Sequence, residues 1–190
     1  RDPFRGLENL KDPQTQSWLK AQGAHAADVL SRIPGRDELQ ARIAELSAGT
    51  GDSVRSLVRM PGDRLFYLKR RATEPQFKLV MRQGLRGAER VLVDPQRQTR
   101  ATGVPHAVNY FVPSWDGRTL AYGMSAGGSE NASLHLLDVR SGKAIGQPIP
   151  RVPDSLLHWL PDNRSLTYNQ LRKLPDGADP AETFKDTTVF

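Results

Sequence analysis

Cysteine is absent from this 190-residue chain, which excludes disulfides, thiolate metal sites and a Cys nucleophile. That absence fits the cytosol and, equally well, a periplasm without structural disulfides. Long apolar runs are missing too. None approaches the roughly 18 residues of a membrane-spanning helix, so no membrane partner is expected. Histidine is scarce: His25, His106, His135 and His158 share no metal-ligand spacing with one another or with carboxylates. They read as surface or hydrogen-bonded imidazoles, and no metal or other cofactor is expected. The chain starts at Arg1-Asp2-Pro3 without an initiator Met, an apolar signal core or a cleavage motif. A targeting segment is therefore expected to have been removed or never present.

What is present is a globular composition with a basic excess. Hydrophobic residues are 37% and charged residues 25% of the chain, which separates it from disordered polyelectrolytes. The net charge is +6, from 27 Lys and Arg against 21 Asp and Glu. A nucleic-acid footprint normally concentrates on one face and comes with a recognisable motif. Here the basic residues are spread along the chain with acids interleaved, so no nucleic-acid partner is expected and the charge reads as a solvated surface. Lys69-Arg70-Arg71 reads as a solvated strand edge that discourages pairing.

Residues 1–51 have helical texture. Asp12 can cap and Pro13 suits a first helical position, and Trp18, Leu19, Ala26, Val29, Leu30 and Ile33 recur at helical spacing. A helix is expected over 14–33, closed by Pro34-Gly35. A second is expected over about 37–47, with Leu39, Ile43 and Leu46 on one face and Gly49 just beyond its end. The apolar stripes of this hairpin require a partner surface.

Residues 52–190 read as short β-runs punctuated by Gly, Pro, Asp and Asn. Three segments resemble one another: Met60-Pro-Gly-Asp-Arg-Leu-Phe-Tyr, Ser114-Trp-Asp-Gly-Arg-Thr-Leu-Ala-Tyr and Leu160-Pro-Asp-Asn-Arg-Ser-Leu-Thr-Tyr. Each places a tight turn before an Arg (Arg64, Arg118, Arg164) and a strand with a Tyr after it. Repeats of roughly 40 to 50 residues with several strands each are the mark of propeller blades. One blade is expected over roughly 53–98, a second over 105–150, and a third beginning near 155. The fold class is thus mainly β with an N-terminal helical hairpin, an incomplete β-propeller of two to three four-stranded blades. A propeller closes with about four blades or more, so the chain reads as truncated, with open strand edges that invite self-association. Trp115 and Trp159 read as blade packing residues, with a peptide-contacting role in a central channel as the alternative.

Gly123-Met-Ser-Ala-Gly127 fits G-x-S-x-G, the nucleophile signature of serine hydrolases, which acts between a strand and a helix. Leu134 to Val139 is β-prone instead, so the segment reads as a hairpin turn. A triad within this chain would use Ser125, Asp138 and His158 in hydrolase order. Asp138 and His158 fall on different expected blades, and Asp138 suits backbone donors of the turn before Arg140. Gly127-Gly128-Ser129 lacks the helix N-terminus that would make it an anion cradle. No catalytic residue is expected in this chain.

Several stretches together resemble the N-terminal part of a prolyl oligopeptidase-family serine peptidase. They are Asp2-Pro-Phe-Arg-Gly-Leu-Glu8, similar to the family's D-P-Y-x-W-L-E opening, and Trp18-Leu-Lys-Ala-Gln22. Gly62 to Lys69, Gly87 to Pro95, Asp116 to Glu130, Asp138 to Lys143, Arg151-Val152 and Trp159 to Asp162 follow in order. The resemblance implies a seven-bladed propeller that caps an α/β-hydrolase domain, with the N-terminal helices packed on that hydrolase as an intramolecular partner. It implies that Ser, Asp and His of the triad lie in the hydrolase domain, which is absent here, and that short peptides are the substrate. Gly6 stands where the family has Trp. Asp154, in Arg151-Val-Pro-Asp-Ser155, stands where some members have a substrate-facing Phe, and is the candidate substrate-proximal residue. An acidic group there favours a basic substrate end or faces solvent, which leaves two alternatives open. One is an oligopeptidase preferring basic residues. The other is a propeller-type interaction module without catalysis.

Overall fold

The computed structural model describes residues 2–49, 51–153 and 156–190, which fall into two compact units, residues 1–50 and 51–190. In the first unit a 3-10 turn, Arg5–Glu8, leads to α1 (Pro13–Ser31) and α2 (Arg36–Gly49). Asp12 caps α1 as the sequence predicts, its carboxylate accepting from the Thr15 N–H at 3.0 Å, and Pro13 occupies the first turn. Thr15 is buried, and its hydroxyl donates to the Gly6 carbonyl at 3.3 Å. The helix stops at Ser31 rather than Ile33, because Pro34 disfavours helical backbone at the residue before it. Gly49 closes α2 from inside rather than from beyond its end. Trp18, Val29, Leu39, Ile43 and Leu46 are all exposed.

The second unit is built of antiparallel meanders. β1 (Ser53–Met60), β2 (Arg64–Arg70), β3 (Lys78–Gln83) and β4 (Arg90–Val93) pair in sequence order in one sheet. β5 (His106–Pro113), β6 (Thr119–Ala126), β7 (Ser133–Asp138) and β8 (Ala144–Ile149) repeat that order in a second. Two short pairs follow, β9 (His158–Trp159) with β10 (Leu166–Thr167) and β11 (Asn169–Gln170) with β12 (Thr188–Val189). Between the sheets in sequence lies an element the sequence does not predict, helix α3 (Pro95–Thr102), across the end of the first expected blade and the interval before the second.

The two four-stranded sheets pack face to face. Side chains alternate across a strand, so Phe66 and Leu68 of β2 point one way and Leu65 and Tyr67 the other. Phe66, Leu68 and Leu79 of the first sheet join Val108, Phe111, Leu120, Tyr122 and Met124 of the second in one buried cluster. The opposite face of the second sheet supplies Ala121 and Leu134 to another cluster, with Val152, Leu157 and Trp159 of the third repeat. β2 and β6 are therefore buried on both faces, which explains their nearly continuous apolar runs.

The repeated turn motif has one conformational cause. The residue before each repeat's Arg has a left-handed backbone: Asp63 at φ 59°, Gly117 at 63° and Asn163 at 60°. Asp, Gly and Asn are the types that tolerate this region. In the second and third turns an Asp fastens the loop. Asp116 accepts from the Arg118 N–H at 3.0 Å, and Asp162 from the Arg164 N–H at 2.9 Å. The first turn has Gly62 at the matching place and instead uses two consecutive positive φ angles, 72° and 59°, as a tight hairpin requires. Successive turns are bonded to one another. The Arg64 guanidinium donates to the Asp116 carbonyl at 2.6 Å, and the Asp116 N–H donates to Asn163 Oδ1 at 2.8 Å.

Candidate functional site

The serine of G-x-S-x-G lies inside β6, opposite Ala107 of β5, and is buried. A nucleophile needs its hydroxyl lifted on a turn, whereas the turn here begins only at Gly127 and Gly128, at φ 63° and 76°. Gly123 has a packing role: a Cβ there would fall within the ring of Tyr110, its cross-strand partner. One motif glycine thus seats a tyrosine and the other turns the chain.

The three hydrolase-order residues are not brought together. Asp138 pairs with Thr119, six positions along β6 from Ser125, which is roughly 20 Å at about 3.3 Å per residue. Asp138 Oδ1 accepts from both the Ser141 hydroxyl (2.6 Å) and the Ser141 N–H (2.7 Å), and these bonds hold its carboxyl below the usual range. His158 is exposed on β9 and lines an open groove of about 360 Å³ with Met60, Phe111 and Trp115.

The other histidines are likewise separate. His135 stacks on Tyr122 with ring centroids 5.0 Å apart, and burial lowers its pKa. His106 Nδ1 lies 2.8 Å from the Val104 carbonyl, and His25 is exposed on α1. Among the described residues no group of His, Cys, Asp and Glu could hold a metal ion, and no helix is long and apolar enough to cross a membrane.

Asp154 lies outside the described residues, but the chain leading to it is firmly anchored. Arg151 adopts φ 59°, and its Nε donates to the Leu171 carbonyl at 3.1 Å. Val152 is fully buried, donates its N–H to Ala132 and accepts from the Tyr110 hydroxyl at 3.1 Å. Pro153 then borders an open cavity of about 320 Å³ with Asn109, Glu130, Asn131 and Phe184.

Three sequence readings change. Lys69 and Arg70 are not a solvated edge: β2 is a central strand, Lys69 bridges Asp52 and Glu89 at 2.9 Å each, and the Arg70 guanidinium lies over the Phe77 ring, while Arg71 follows the strand and is exposed. The tryptophans divide. Trp159 is buried and its indole donates to Val112, while Trp115 is 61% exposed with its indole donating to Trp159. The basic residues, spread in sequence, are partly gathered in space: Arg64, Arg90, Arg118 and Arg140 line one cleft of about 600 Å³. The repeat held the signal, since Arg64 and Arg118 occupy the same turn position.

Stacked four-stranded meanders with matched turns define a repeat β-domain of the blade type. A family model described as "Prolyl oligopeptidase, N-terminal beta-propeller domain" matches residues 1–190. The chain belongs to the prolyl oligopeptidase family, in its N-terminal propeller region. Among curated relatives it is 24% identical over 177 residues to a prolyl endopeptidase of Elizabethkingia meningoseptica, and equally so to one of Elizabethkingia miricola. Each match covers 93% of this chain and 24% of the relative, so the chain spans about a quarter of their length. A solved structure from an analysis of two prolyl endopeptidases superposes at TM-score 0.85 with 34% identity, over 99% of this chain and 27% of that one. Prolyl oligopeptidase B of Galerina marginata, bound to a 35mer substrate, shares the fold at TM-score 0.73 and 14% identity, over 94% of this chain and 27% of that one.

Proposed function

We propose that these residues are the N-terminal helices and the first two to three blades of a seven-bladed propeller, in a serine endopeptidase that cleaves short peptides. The helices of residues 1–51 brace a hydrolase domain encoded in the same protein, and that domain is their intramolecular partner. The blades of residues 52–190 limit access to the catalytic centre, and so contribute exclusion rather than chemistry. The observation that carries this reading is the placement of Ser125, buried near the end of β6 and six positions from the residue paired with Asp138. In a triad the Asp lies one imidazole away from the Ser, which a separation of roughly 20 Å along the sheet excludes. In the whole protein, Ser125→Ala is expected to leave turnover of a proline-containing chromogenic peptide within about twofold. Loss of turnover with the fold intact, or labelling of Ser125 by a serine-directed phosphonate, would overturn the proposal.

Asp154 is assigned to the substrate side of the blades. The anchored Val152 and the cavity beside Pro153 support this, because they fix where the segment leaves the sheet. In the whole protein, Asp154→Phe is expected to raise KM for peptides with a basic end several-fold while leaving kcat nearly unchanged, since a ground-state contact acts on binding. An equal change for basic and neutral peptides would refute the assignment.

A further inference from the structure

The cleft of about 600 Å³ is lined by four arginines and one aspartate, which makes it strongly cationic. Its residues come from four connections: Arg64 follows the β1–β2 turn, Arg90 opens β4, Arg118 follows the β5–β6 turn and Arg140 stands between β7 and β8. In a four-stranded meander the first and third connections lie at the same end, so topology brings all four guanidinium groups to one rim. That rim is at the other end of the strands from the 127–132 turn and the segment leading to Asp154.

Two of the arginines are fixed by bonds that span the sheets. Arg64 Nη1 donates to the Asp116 carbonyl at 2.6 Å, and Arg90 Nη1 to the Arg140 carbonyl at 3.0 Å. Each guanidinium carries five N–H donors, so both keep donors free while their positions are set. The other two are more open to solvent: the Arg118 side chain is 79% exposed and forms a long ion pair with Asp116 at 3.8 Å, and Arg140 is exposed. Asp138 lines the same cleft, and its carboxylate, held below the usual range by the Ser141 bonds first and also by Arg140 and Arg90, offsets part of their charge and leaves a cationic excess. At Gly117 the backbone comes so close to Arg64 that a Cβ would meet Nη1 at 3.0 Å, which keeps the floor open.

We propose that this cleft binds a small ligand carrying a chain of adjacent phosphoryl groups. Guanidinium forks match phosphate oxygens in pairs, and the volume falls within the range of small-molecule sites, about 300 to 1,000 Å³. Four arginines from separate loops suit charge spread along a chain better than a single anion. A nucleoside triphosphate and inorganic tripolyphosphate share this chemistry.

Titration calorimetry on the whole protein at low ionic strength tests the assignment with tripolyphosphate, ATP, adenosine and citrate. Tripolyphosphate is expected to bind, and adenosine is not. ATP matching tripolyphosphate assigns the phosphate chain as the recognised part, while ATP binding without tripolyphosphate would overturn the proposal, as would citrate binding equally well. Arg118→Glu with Arg140→Glu is expected to weaken tripolyphosphate at least tenfold. Arg86→Glu, an exposed arginine outside the cleft, should change it less than twofold. Equal losses in the two variants would reduce the effect to bulk charge and refute the site. The melting temperature of each variant, measured in parallel, separates lost binding from lost fold.

Discussion

Gly123 shows how a single residue carries two messages. In the sequence it opens a hydrolase signature, and in the fold it is the gap over which the Tyr110 ring lies, with the Tyr110 hydroxyl reaching the Val152 carbonyl. Overpacking a closed core commonly costs about 1–3 kcal/mol. Gly123→Ala is expected to destabilise by that amount in denaturant titrations, with the slope unchanged. Because the cost arises against one ring, it should shrink by at least half in a Tyr110→Ala background, as a double-mutant cycle reads it. The same cost in both backgrounds would show that the glycine serves its own backbone instead. Nothing in the motif alone distinguishes these uses, since the ring that decides the matter comes from another strand.

At the scale of elements, the order helix, helix, meander, meander was legible because hydrophobic period and turn chemistry are local. The three turns betrayed their shared geometry through Asp63, Gly117 and Asn163, which hold the same left-handed backbone. Helix α3 also carries local signals. Asp94 caps it by accepting from the Gln96 N–H at 3.0 Å, Pro95 stands in its first turn and Gly103 closes it at φ 73°. Its brevity hid it: eight mostly polar residues, of which only Pro95 is buried, are fewer than the roughly 11 to 18 over which a helical period is read. The Lys69 network was illegible for a different reason, because Asp52, Lys69 and Glu89 meet only after all four strands of the first sheet have paired. The arginine cleft is the same kind of case, assembled from two sheets, and so is the disposition of Ser125, Asp138 and His158.

At the scale of the whole repeat unit, stability comes from faces shared between sheets rather than from any sheet alone. Leu120 illustrates this: it is fully buried on β6, in the cluster that also contains Phe66 and Leu79 of the preceding sheet. Truncating such a side chain removes its transfer free energy and leaves a cavity, typically about 2–5 kcal/mol together for Leu→Ala. Stacked repeats draw much of their stability from the interface to their neighbours, so the loss should reach both partners. Leu120→Ala in the whole protein is expected to reduce amide protection in β2 as well as in β6, by similar factors, when followed by hydrogen exchange. The turn bonds from Arg64 to Asp116 and from Asp116 to Asn163 would keep the sheets in register without restoring the lost contacts, because they lie at the rim and not in the core. Protection lost in β5 to β8 alone, with β2 unchanged, would mean that each sheet stands by itself and that the shared cluster does not couple them.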